Sequence, residues 1–416
     1  MGNVKSLNIA VVVGVFPTVS ETFIVNQITS LIDKGHSVYI YSYQKTIPQK
    51  LHKSIIRYNL LDKVVYREKP PNGKLKKLRS FLLIMIKNFS NINWKLLFKT
   101  LNYSKYGKKA INLKTFYNRK FFVLNKKFDV VHVHFANNAQ SIARYKREGF
   151  LQDAKLVVSF HGYDINPSKT EAYKLQYRML FEEANHFTVN TIYTKEILDK
   201  VNSSLTNVSI LPVGLDSSLF RKKESKLNSL GGFKLVYCGR LVPFKGAMLL
   251  PTIIKELISR GFDDISLKII GSGELKTQLE IEIDRLELSN TVEILGAMTQ
   301  EDIIDVFNDS NAFILPGIYN KVDGRAENQG LVIQEAQAME LPVIVSDVGG
   351  MKYGVVPNKT GFVVKENDVK AFADCIELLI KNPEKAKKMG KEGREFVIEN
   401  YNSKILIDKL LSIYRS

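Results

Sequence analysis

Short apolar runs alternate with longer amphipathic runs through the first half of the chain, and this alternation is what most constrains the fold. The predicted strands are Leu7–Phe16, Ser37–Tyr43, Asp129–Phe135, Lys155–Phe160, His186–Asn190 and Val208–Val213. After the first strand, the sequence predicts a helix that Ser20 caps and that ends at Gly35. Strands that alternate with helices build a parallel sheet covered on both faces.

A second series of the same kind follows the polar stretch Arg221–Gly232, which we interpret as a linker. Its predicted strands are Lys234–Cys238, Ser266–Ile270, Val292–Leu295, Ala312–Leu315 and Pro342–Ser346. Its predicted helices are Ala247–Arg260, Glu274–Leu286, Gln300–Asn308 (capped by Thr299) and one near Leu331–Met339, and the tail 368–414 is mostly helical. We therefore predict an α/β protein with two doubly wound domains, 1–220 and 221–398, whose ligands bind beyond the carboxyl ends of the strands.

The net charge of +18 comes from one segment of the chain. Between Lys45 and Lys127 there are 22 Lys and Arg but only two acids, Asp62 and Glu68, so this segment carries +20 and the rest −2. A nucleic-acid-binding protein is one interpretation of such a charge. Two features argue against nucleic-acid binding: the charge is confined to one segment, and the sequence has no RNA-recognition aromatic motif.

The cysteines and the apolar runs indicate the compartment. Two cysteines, Cys238 and Cys375, are too few for a disulfide framework, which favours a reducing, cytosolic environment. No apolar run reaches the ~18 residues that a membrane span needs. The run Leu7–Pro17 lacks a cleavage pattern and is interpreted as a strand, not a signal peptide.

The loop Gly239–Gly246, after the strand Lys234–Cys238, combines two cations with a following helix start. Arg240 offers a planar fork for phosphate oxygens, Lys245 adds a point charge, and the helix amino end favours anions. This loop is suited to a diphosphate, although a solvated turn with two surface cations would have the same sequence.

Glu327 and Glu335 flank a second loop of this kind, with Glu327 before a predicted helix and Glu335 within it. A carboxylate in the position of Glu335 is suited to accept two hydrogen bonds from a ribose diol.

These segments resemble the retaining glycosyltransferases of family 4, which have the GT-B fold of two Rossmann-like domains facing across a cleft. The resemblance spans nearly the whole chain and rests on Gly239–Gly246, Ile269–Glu274, Glu327–Glu335 and Leu341–Gly350. Three further segments are similar to bacterial exopolysaccharide members of the colanic-acid and amylovoran type, namely Phe16–Phe23, His132–Phe135 and Phe160–Asp164. The fold further implies that the last helix, 399–416, returns to the first domain.

The resemblance implies a role for each matching residue. Arg240 and Lys245 would hold the donor diphosphate and stabilise the leaving nucleotide, Glu327 would lie beside the donor sugar, and His161 would lie on the opposite wall as a fourth catalytic residue. The implied donor-binding residues are Gly14, Gly239, Gly271, Asn328, Gln329, Gly330, Leu331 and Glu335. Members with the Arg–Lys pair generally need neither a metal nor another cofactor, and the sequence has no Asp-x-Asp motif.

The sequence departs from the family in places that bear on the donor. Family members often have Gly-Phe or Gly-Ile-Pro after the first Glu, where this chain has Asn328-Gln329-Gly330. The loop after Gly350 reads Met351–Gly354 in place of an Ile-Pro-Glu-type turn, and the amino-terminal loop has Gly14 without a Gly-Gly pair. These changes leave the donor sugar open.

Two histidines and one aspartate near the predicted site are less specific. For Asp164, a role limited to orienting the loop that carries His161 is left open beside a direct role in the site. His132 and His134 are expected to face opposite sides of their strand, one of them in the core, with metal binding by the two disfavoured.

Part of the basic segment has helical spacing. Leu75, Leu78, Leu82, Met85 and Phe89 recur at steps of three and four among lysines, and Trp94 follows with Leu97 and Leu101. A basic amphipathic helix of this kind indicates an anionic membrane surface bound through 74–101, and the alternative is a helix packed on the domain core.

We therefore predict a metal-independent retaining hexosyltransferase on the inner face of the cell membrane. It would use a nucleotide sugar, UDP-linked by preference, and a lipid-linked saccharide or glycan acceptor in cell-surface polysaccharide synthesis. An acceptor that is a protein or another non-lipid molecule is the first alternative. A nucleotide-dependent oxidoreductase is disfavoured because no Gly-x-Gly-x-x-Gly follows the first strand.

Overall fold

The computed structural model describes residues 5–18, 21–47, 51–124, 127–151, 153–223 and 232–416. The expected cap at Ser20 and most of the expected linker 221–232 lie outside these ranges. Two parallel sheets account for the strands of the described residues, and the sequence-based fold class is confirmed.

The N-terminal domain is built on a sheet in the order β3-β2-β1-β4-β5-β6-β7, parallel throughout. Its strands are β1 Asn8–Phe16, β2 Ser37–Lys45, β3 Val64–Tyr66, β4 Val130–His134, β5 Lys155–Phe160, β6 His186–Val189 and β7 Val208–Ile210. Its helices are α1 Thr22–Asp33, α2 Lys53–Arg57, α3 Lys74–Lys87, α4 Trp94–Thr100, α5 Tyr103–Tyr106, α6 Lys108–Ile111, α7 Lys114–Leu124, α8 Ala136–Arg147, α9 Thr170–Gln176, α10 Arg178–Glu183 and α11 Ile192–Val201.

The C-terminal domain has the sheet order β10-β9-β8-β11-β12-β13, again parallel. Its strands are β8 Phe233–Cys238, β9 Ile265–Ile270, β10 Val292–Gly296, β11 Ala312–Leu315, β12 Val343–Ser346 and β13 Gly361–Val364. The helices that follow are α12 Leu250–Ser259, α13 Lys276–Arg285, α14 Gln300–Asn308, α15 Leu331–Ala338, α16 Val369–Lys381, α17 Pro383–Asn400 and α18 Ser403–Arg415. Both sheets reverse their strand order beside β1/β4 and β8/β11, where a crevice opens at the carboxyl ends.

The chain crosses between the domains twice, and the two crossings run side by side. The Leu215 N–H donates to the Tyr401 carbonyl (3.0 Å), and the Ser403 N–H donates to the Leu215 carbonyl (3.0 Å). Helix α18 then packs on the N-terminal domain, where Leu410 and Tyr414 join the core around β1 and α1. The last helix therefore ties the C-terminal domain back to the first sheet.

Helix α3 packs on the N-terminal domain mainly through residues outside its predicted apolar stripe. Phe81 meets the Phe116 ring edge to face with centroids 4.8 Å apart, and the Tyr117 hydroxyl donates to the Lys77 carbonyl (3.0 Å). Of the expected apolar stripe, Met85 is partly buried, whereas Leu75, Leu78, Leu82 and Phe89 are exposed. The helix is thus anchored to the domain while four of the five residues of its predicted stripe face outward.

The helices of the described residues include none with the length and apolar character that a bilayer span requires.

Candidate functional site

Lys245 and Glu327 meet at the carboxyl edge of the second sheet. Lys245 ends a short 3-10 turn after β8, and Glu327 lies in the long loop between β11 and α15. Their side chains form an ion pair and are only 12% and 13% exposed. Two residues from distant parts of the sequence therefore place a cation and a carboxylate together in a sheltered position.

The loop that carries Arg240 and Lys245 is held against the neighbouring strand end by close backbone contact. Gly271 has a φ of +146°, and a Cβ at this position would lie 1.9 Å from the Gly239 carbonyl oxygen. The Leu241 N–H also donates to the Ser272 carbonyl (2.9 Å). Only glycine at Gly271 permits this approach, so the backbones of Gly239 and Gly271 are in direct contact at the start of the loop that carries the two cations.

Arg240 is exposed, with its guanidinium carbon 5.9 Å from the centre of the Phe244 ring. Within the described residues it has no ion pair, unlike Lys245. Its charge is therefore open to an anion that enters the cleft.

The start of α15 lies beside the ion pair. Gly330 caps this helix in the left-handed conformation, and a Cβ on it would lie 3.3 Å from the Glu327 Cγ. Leu331 begins the helix, so its first N–H groups face the region of Glu327. An anion bound by Lys245 would thus lie near the positive end of a helix dipole.

Glu335 lies one turn inside α15 and is half-buried. Burial raises the pKa of its carboxyl to about 7, and the nearby Lys245 charge opposes this rise only in part. The carboxyl therefore changes its charge near neutral pH.

His161 follows β5 on the opposite, N-terminal wall. Its Nε2 lies 3.0 Å from the Nδ1 of His134, and the Phe23 and Phe135 rings flank it with centroids 5.0 and 4.7 Å away. This enclosure disfavours the charged form and lowers the pKa of His161 to about 3. The imidazole is therefore neutral at physiological pH.

Asp164 orients this loop, as the sequence indicated. Its carboxylate is fully buried and accepts from the backbone N–H of His161 (2.9 Å) and of Ala136 (2.6 Å), the first residue of α8. Burial raises the pKa of Asp164 to about 6 although these backbone bonds act against the rise. One carboxyl thus fixes both the His161 loop and the start of a helix.

Gly14 is placed inside β1, not in a loop after it. A Cβ at this position would lie 3.2 Å from Asn138 Oδ1 on α8. The glycine therefore allows close packing of strand and helix at the floor of the cleft, and a donor contact at Gly14 stays a prediction.

His132 and His134 do not face opposite sides of β4, and that expectation is wrong. Residues two apart on a strand share one face, and the two ring centroids are 4.4 Å apart. Both side chains are fully buried. The two histidines have different partners: His132 Nδ1 lies 2.6 Å from the Tyr414 hydroxyl of α18, and His134 bonds to His161.

Asn328 connects the two walls. Its side-chain oxygen accepts from the hydroxyls of Thr191 (2.9 Å) and Thr194 (2.5 Å), and its amide donates to Asn190 Oδ1 (2.6 Å). Gly162, with a φ of +93°, packs directly on it, since a Cβ there would lie 2.5 Å from Asn328 Nδ2. His161 directly precedes Gly162 in the sequence, and Glu327 directly precedes Asn328. The two walls of the cleft therefore meet next to the predicted catalytic residues.

The positions that depart from the family make further contacts between the domains. The Gln329 side chain accepts from the Val213 N–H (2.8 Å) and donates to the Val213 carbonyl (2.8 Å) in the crossing segment. The Tyr353 hydroxyl donates to Glu196 on α11 (3.0 Å). The unusual residues of this chain therefore link its domains.

The sequence did not predict Asn190, Thr191 and Thr194 as part of the site. Their signal is positional, because they follow β6 at the carboxyl edge of the first sheet, where ligands of such sheets bind.

Among the described residues, no group of three His, Cys, Asp or Glu side chains is arranged to hold a metal ion.

Two family models together match most of the chain. The model described as Glycosyltransferase Family 4 matches residues 20–219, and that described as Glycosyl transferases group 1 matches 220–396.

Individual proteins are similar over the same length. WcaL from Escherichia coli, named as a putative colanic acid biosynthesis glycosyltransferase, is 25% identical over 404 residues, which cover 96% of this chain and 98% of WcaL. The amylovoran biosynthesis glycosyltransferase AmsK from Erwinia amylovora is 27% identical over 364 residues, which cover 86% of this chain and 87% of AmsK. The crystal structure of Anabaena HepE in complex with UDP has the same fold, with a TM-score of 0.70, 14% identity and 98% coverage of both chains.

Proposed function

The chain belongs to family 4 of the glycosyltransferases, and we propose that it is a retaining enzyme that transfers a hexose from a nucleotide sugar during cell-surface polysaccharide synthesis. The observation that carries this proposal is the sheltered Lys245–Glu327 pair, which lies across the cleft from the neutral His161. A cation suits the phosphates of a glycosyl diphosphate, and a carboxylate and an uncharged imidazole can form hydrogen bonds with the hydroxyl groups of its sugar.

Arg240 and Lys245 would bind the diphosphate of the donor. Arg240 is free to form two parallel hydrogen bonds with phosphate oxygens, and Lys245 can turn from Glu327 to the phosphate that leaves. Fixed charges that meet the developing negative charge usually lower the barrier of such transfers more than any other single effect. We propose that these two cations, with the amino end of α15, take the part that a metal ion plays elsewhere, and that no cofactor is needed.

Glu335 and Glu327 would bind the two sugars of the donor. The Glu335 carboxylate would accept hydrogen bonds from the ribose diol, and Glu327 would contact the transferred sugar once Lys245 engages the phosphate. Gly239, Gly271 and the backbone of Asn328–Leu331 would line the donor. His161 would contact the transferred sugar from the opposite wall.

Retention at the anomeric carbon is proposed through front-face attack, as the family resemblance implies. The acceptor hydroxyl would form its new C–O bond on the face from which the diphosphate departs. The glycosidic C–O bond to the phosphate would break, and a phosphate oxygen would take the hydroxyl proton, so that the products are the glycoside and the protonated nucleoside diphosphate.

A UDP-linked donor is supported by the complex of HepE with UDP, a protein of the same fold. An exopolysaccharide acceptor is supported by the names of WcaL and AmsK, which refer to colanic acid and amylovoran biosynthesis. We propose a lipid-linked or polysaccharide acceptor on this basis.

The outward face of α3 and α4 supports binding to an anionic membrane surface. Leu75 and Ile86 are 83% and 74% exposed, and Phe89, Trp94 and Phe98 continue this apolar surface. Exposed Lys74, Lys76 and Arg79 lie among them. Apolar side chains rimmed by cations fit the headgroup region of an anionic leaflet, and we propose that the enzyme works there, on the inner face of the cell membrane.

A donor panel tests the function. The purified chain is incubated with UDP- and GDP-sugars, and nucleotide release is measured with and without an undecaprenyl-diphosphate-linked saccharide. We expect release from one donor class, stimulated by acceptor, and loss of release in K245A. The matched control is K276A, which breaks an exposed ion pair on α13 (Lys276 Nζ to Glu280, 3.6 Å) and should retain activity. Absence of release from every donor would contradict the proposal, and release that the lipid-linked saccharide does not stimulate would favour the alternative acceptor.

A further inference from the structure

His134 has no role in the function proposed above, yet it makes the only side-chain hydrogen bond of His161 within the described residues. The two strands β4 and β5 are parallel neighbours with His134 opposite Ser159, and His161 follows two residues later. The two imidazoles lie nearly parallel, with an interplanar angle of 17° and a bond of 3.0 Å between His134 Nδ1 and His161 Nε2.

The bond between two neutral rings fixes a tautomer, because one nitrogen must donate the proton and the other must accept it. If His161 Nε2 donates, His161 Nδ1 is a bare acceptor and His134 carries its own proton on Nε2. If His134 Nδ1 donates, His161 carries its proton on Nδ1 and His134 Nε2 is bare. Burial lowers the pKa of both rings, so neither takes a second proton at neutral pH.

The remaining nitrogens distinguish these two arrangements. His134 Nε2 and His161 Nδ1 are both buried, and neither has a hydrogen-bond partner in the described part of the chain. A buried N–H without an acceptor is rarer in proteins than a bare acceptor. The unsatisfied N–H is therefore better placed on His161, a half-buried residue in the loop after β5, than on His134, which is fully buried in β4.

We propose that His134 is a positioning residue that donates to His161 Nε2 and so holds His161 as the Nδ1–H tautomer, a hydrogen-bond donor to an oxygen of the bound nucleotide sugar. The proposal rests on the proposed function for the identity of that ligand. The bond between the two histidines and the resulting tautomer do not depend on it.

The tautomer of His161 can be measured directly by nitrogen-15 NMR. The sequence has six histidines, so a protein labelled only at histidine gives few signals, and H161N identifies those of His161. In the wild-type protein we expect the His161 Nδ1 signal to be that of a protonated nitrogen. A wild-type His161 protonated on Nε2 would overturn the proposal without any variant.

Two substitutions separate positioning from packing. H134F keeps a ring but removes the donor, whereas H134N places an amide N–H where Nδ1 lies. We expect H134F to give a mixture of His161 tautomers and about a tenfold fall in kcat/KM, the effect of losing one hydrogen bond, and H134N to retain the wild-type tautomer and most of the activity. An unchanged His161 tautomer in folded H134F would overturn the proposal.

His132 is the matched control on the same face of the same strand. It bonds to Ser159 (2.7 Å) and to Tyr414 of α18, not to His161. H132F should therefore lower stability while the His161 tautomer stays as in the wild type. If the wild-type enzyme turns over no nucleotide sugar, the proposed function fails, but the NMR measurement still decides the role of His134.

Discussion

Lys245 and Glu327 form a nearly enclosed ion pair directly beside the start of helix α15 at Leu331. Each residue neutralises the charge of the other. In the proposed function, the donor diphosphate would displace the carboxylate from Lys245 and release Glu327 toward the sugar. The pair would then couple binding of the diphosphate to positioning of Glu327.

Substitution of either partner is expected to abolish transfer. K245M removes the cation that we propose meets the leaving diphosphate, and E327Q removes the carboxylate that we propose lies beside the sugar. Each should therefore reduce kcat by at least about 100-fold, as loss of one preorganised electrostatic contact does. Nucleotide release under saturating donor measures this. E280Q, at an exposed glutamate on α13 that also pairs with a lysine, serves as the control and should remain active.

The effects of K245M and E327Q on the free energy of unfolding should be coupled. Each single substitution leaves one largely buried charge without its partner, whereas the double variant K245M/E327Q leaves none. We expect the double variant to lose less free energy of unfolding than the sum of the single losses, as measured by chemical denaturation. Additive losses would show that the two side chains do not interact in solution.

Nucleotide-sugar affinity should weaken as the pH falls from about 8 to about 6. This range spans the pKa of Glu335, which burial raises to about 7. A ribose diol donates to the ionised carboxylate, so binding favours the charged form and must displace a proton when the pH is below that pKa. A UDP-sugar is the suitable ligand because its diphosphate diester keeps its charge across this range. Calorimetry should show this trend in the wild type and a flat profile in E335Q.

Asp164 also titrates in this range, with a pKa of about 6, and so provides the comparison. D164N should keep the pH dependence of nucleotide affinity, since Asp164 is fully buried and its carboxylate accepts from backbone N–H groups. Loss of the pH dependence in D164N but not in E335Q would show that Asp164, on the N-terminal wall, is the group that titrates.

Asn328 is expected to hold the domains together. N328A removes three hydrogen bonds to Asn190, Thr191 and Thr194, each worth about 1 kcal/mol. The closed arrangement should lose population, which small-angle X-ray scattering would record as a larger radius of gyration, with a higher KM for the donor. T194V removes one of these bonds from the other domain and should shift both quantities in the same direction but less. Unchanged scattering in N328A would show that other contacts suffice for closure.

The fold could be predicted well from the sequence because apolar runs and strand ends follow local rules. Strands β3 and β13 were missed. Val64–Tyr66 lies in the basic segment between Lys63 and Arg67, and Gly361–Val364 begins with glycine, a residue type that is depleted in strands. Lys245, Glu327 and Glu335 were selected because they lie in family motifs, two in loops that follow strands and one within α15. The structure brings Lys245 and Glu327 together, and the roles of all three stay predictions. The Asn328 contacts could not, since they depend on how one domain lies against the other.

Binding to anionic membranes should depend on the outward face of α3. The exposed Lys74, Lys76 and Arg79 would each contribute about 1 kcal/mol near an anionic leaflet, so K74E/K76E/R79E should weaken binding by at least about 100-fold. Vesicles of phosphatidylglycerol and phosphatidylcholine, sedimented at low ionic strength, give the measurement. K385E/K387E/K388E makes the same change of charge on exposed lysines of α17 in the other domain and should bind as the wild type does.

The apolar part of the same face has its own test. L75S/I86S replaces two side chains that are 83% and 74% exposed, so it should weaken vesicle binding and leave stability unchanged. The control is I281S on α13, at a position 63% exposed, which should change neither vesicle binding nor stability. Loss of binding in the charge variant alone would mean that the surface is attracted to the membrane without inserting into it. A wild-type protein that stays in solution with anionic vesicles would contradict membrane docking and leave the transfer reaction to an acceptor that reaches the cleft from solution.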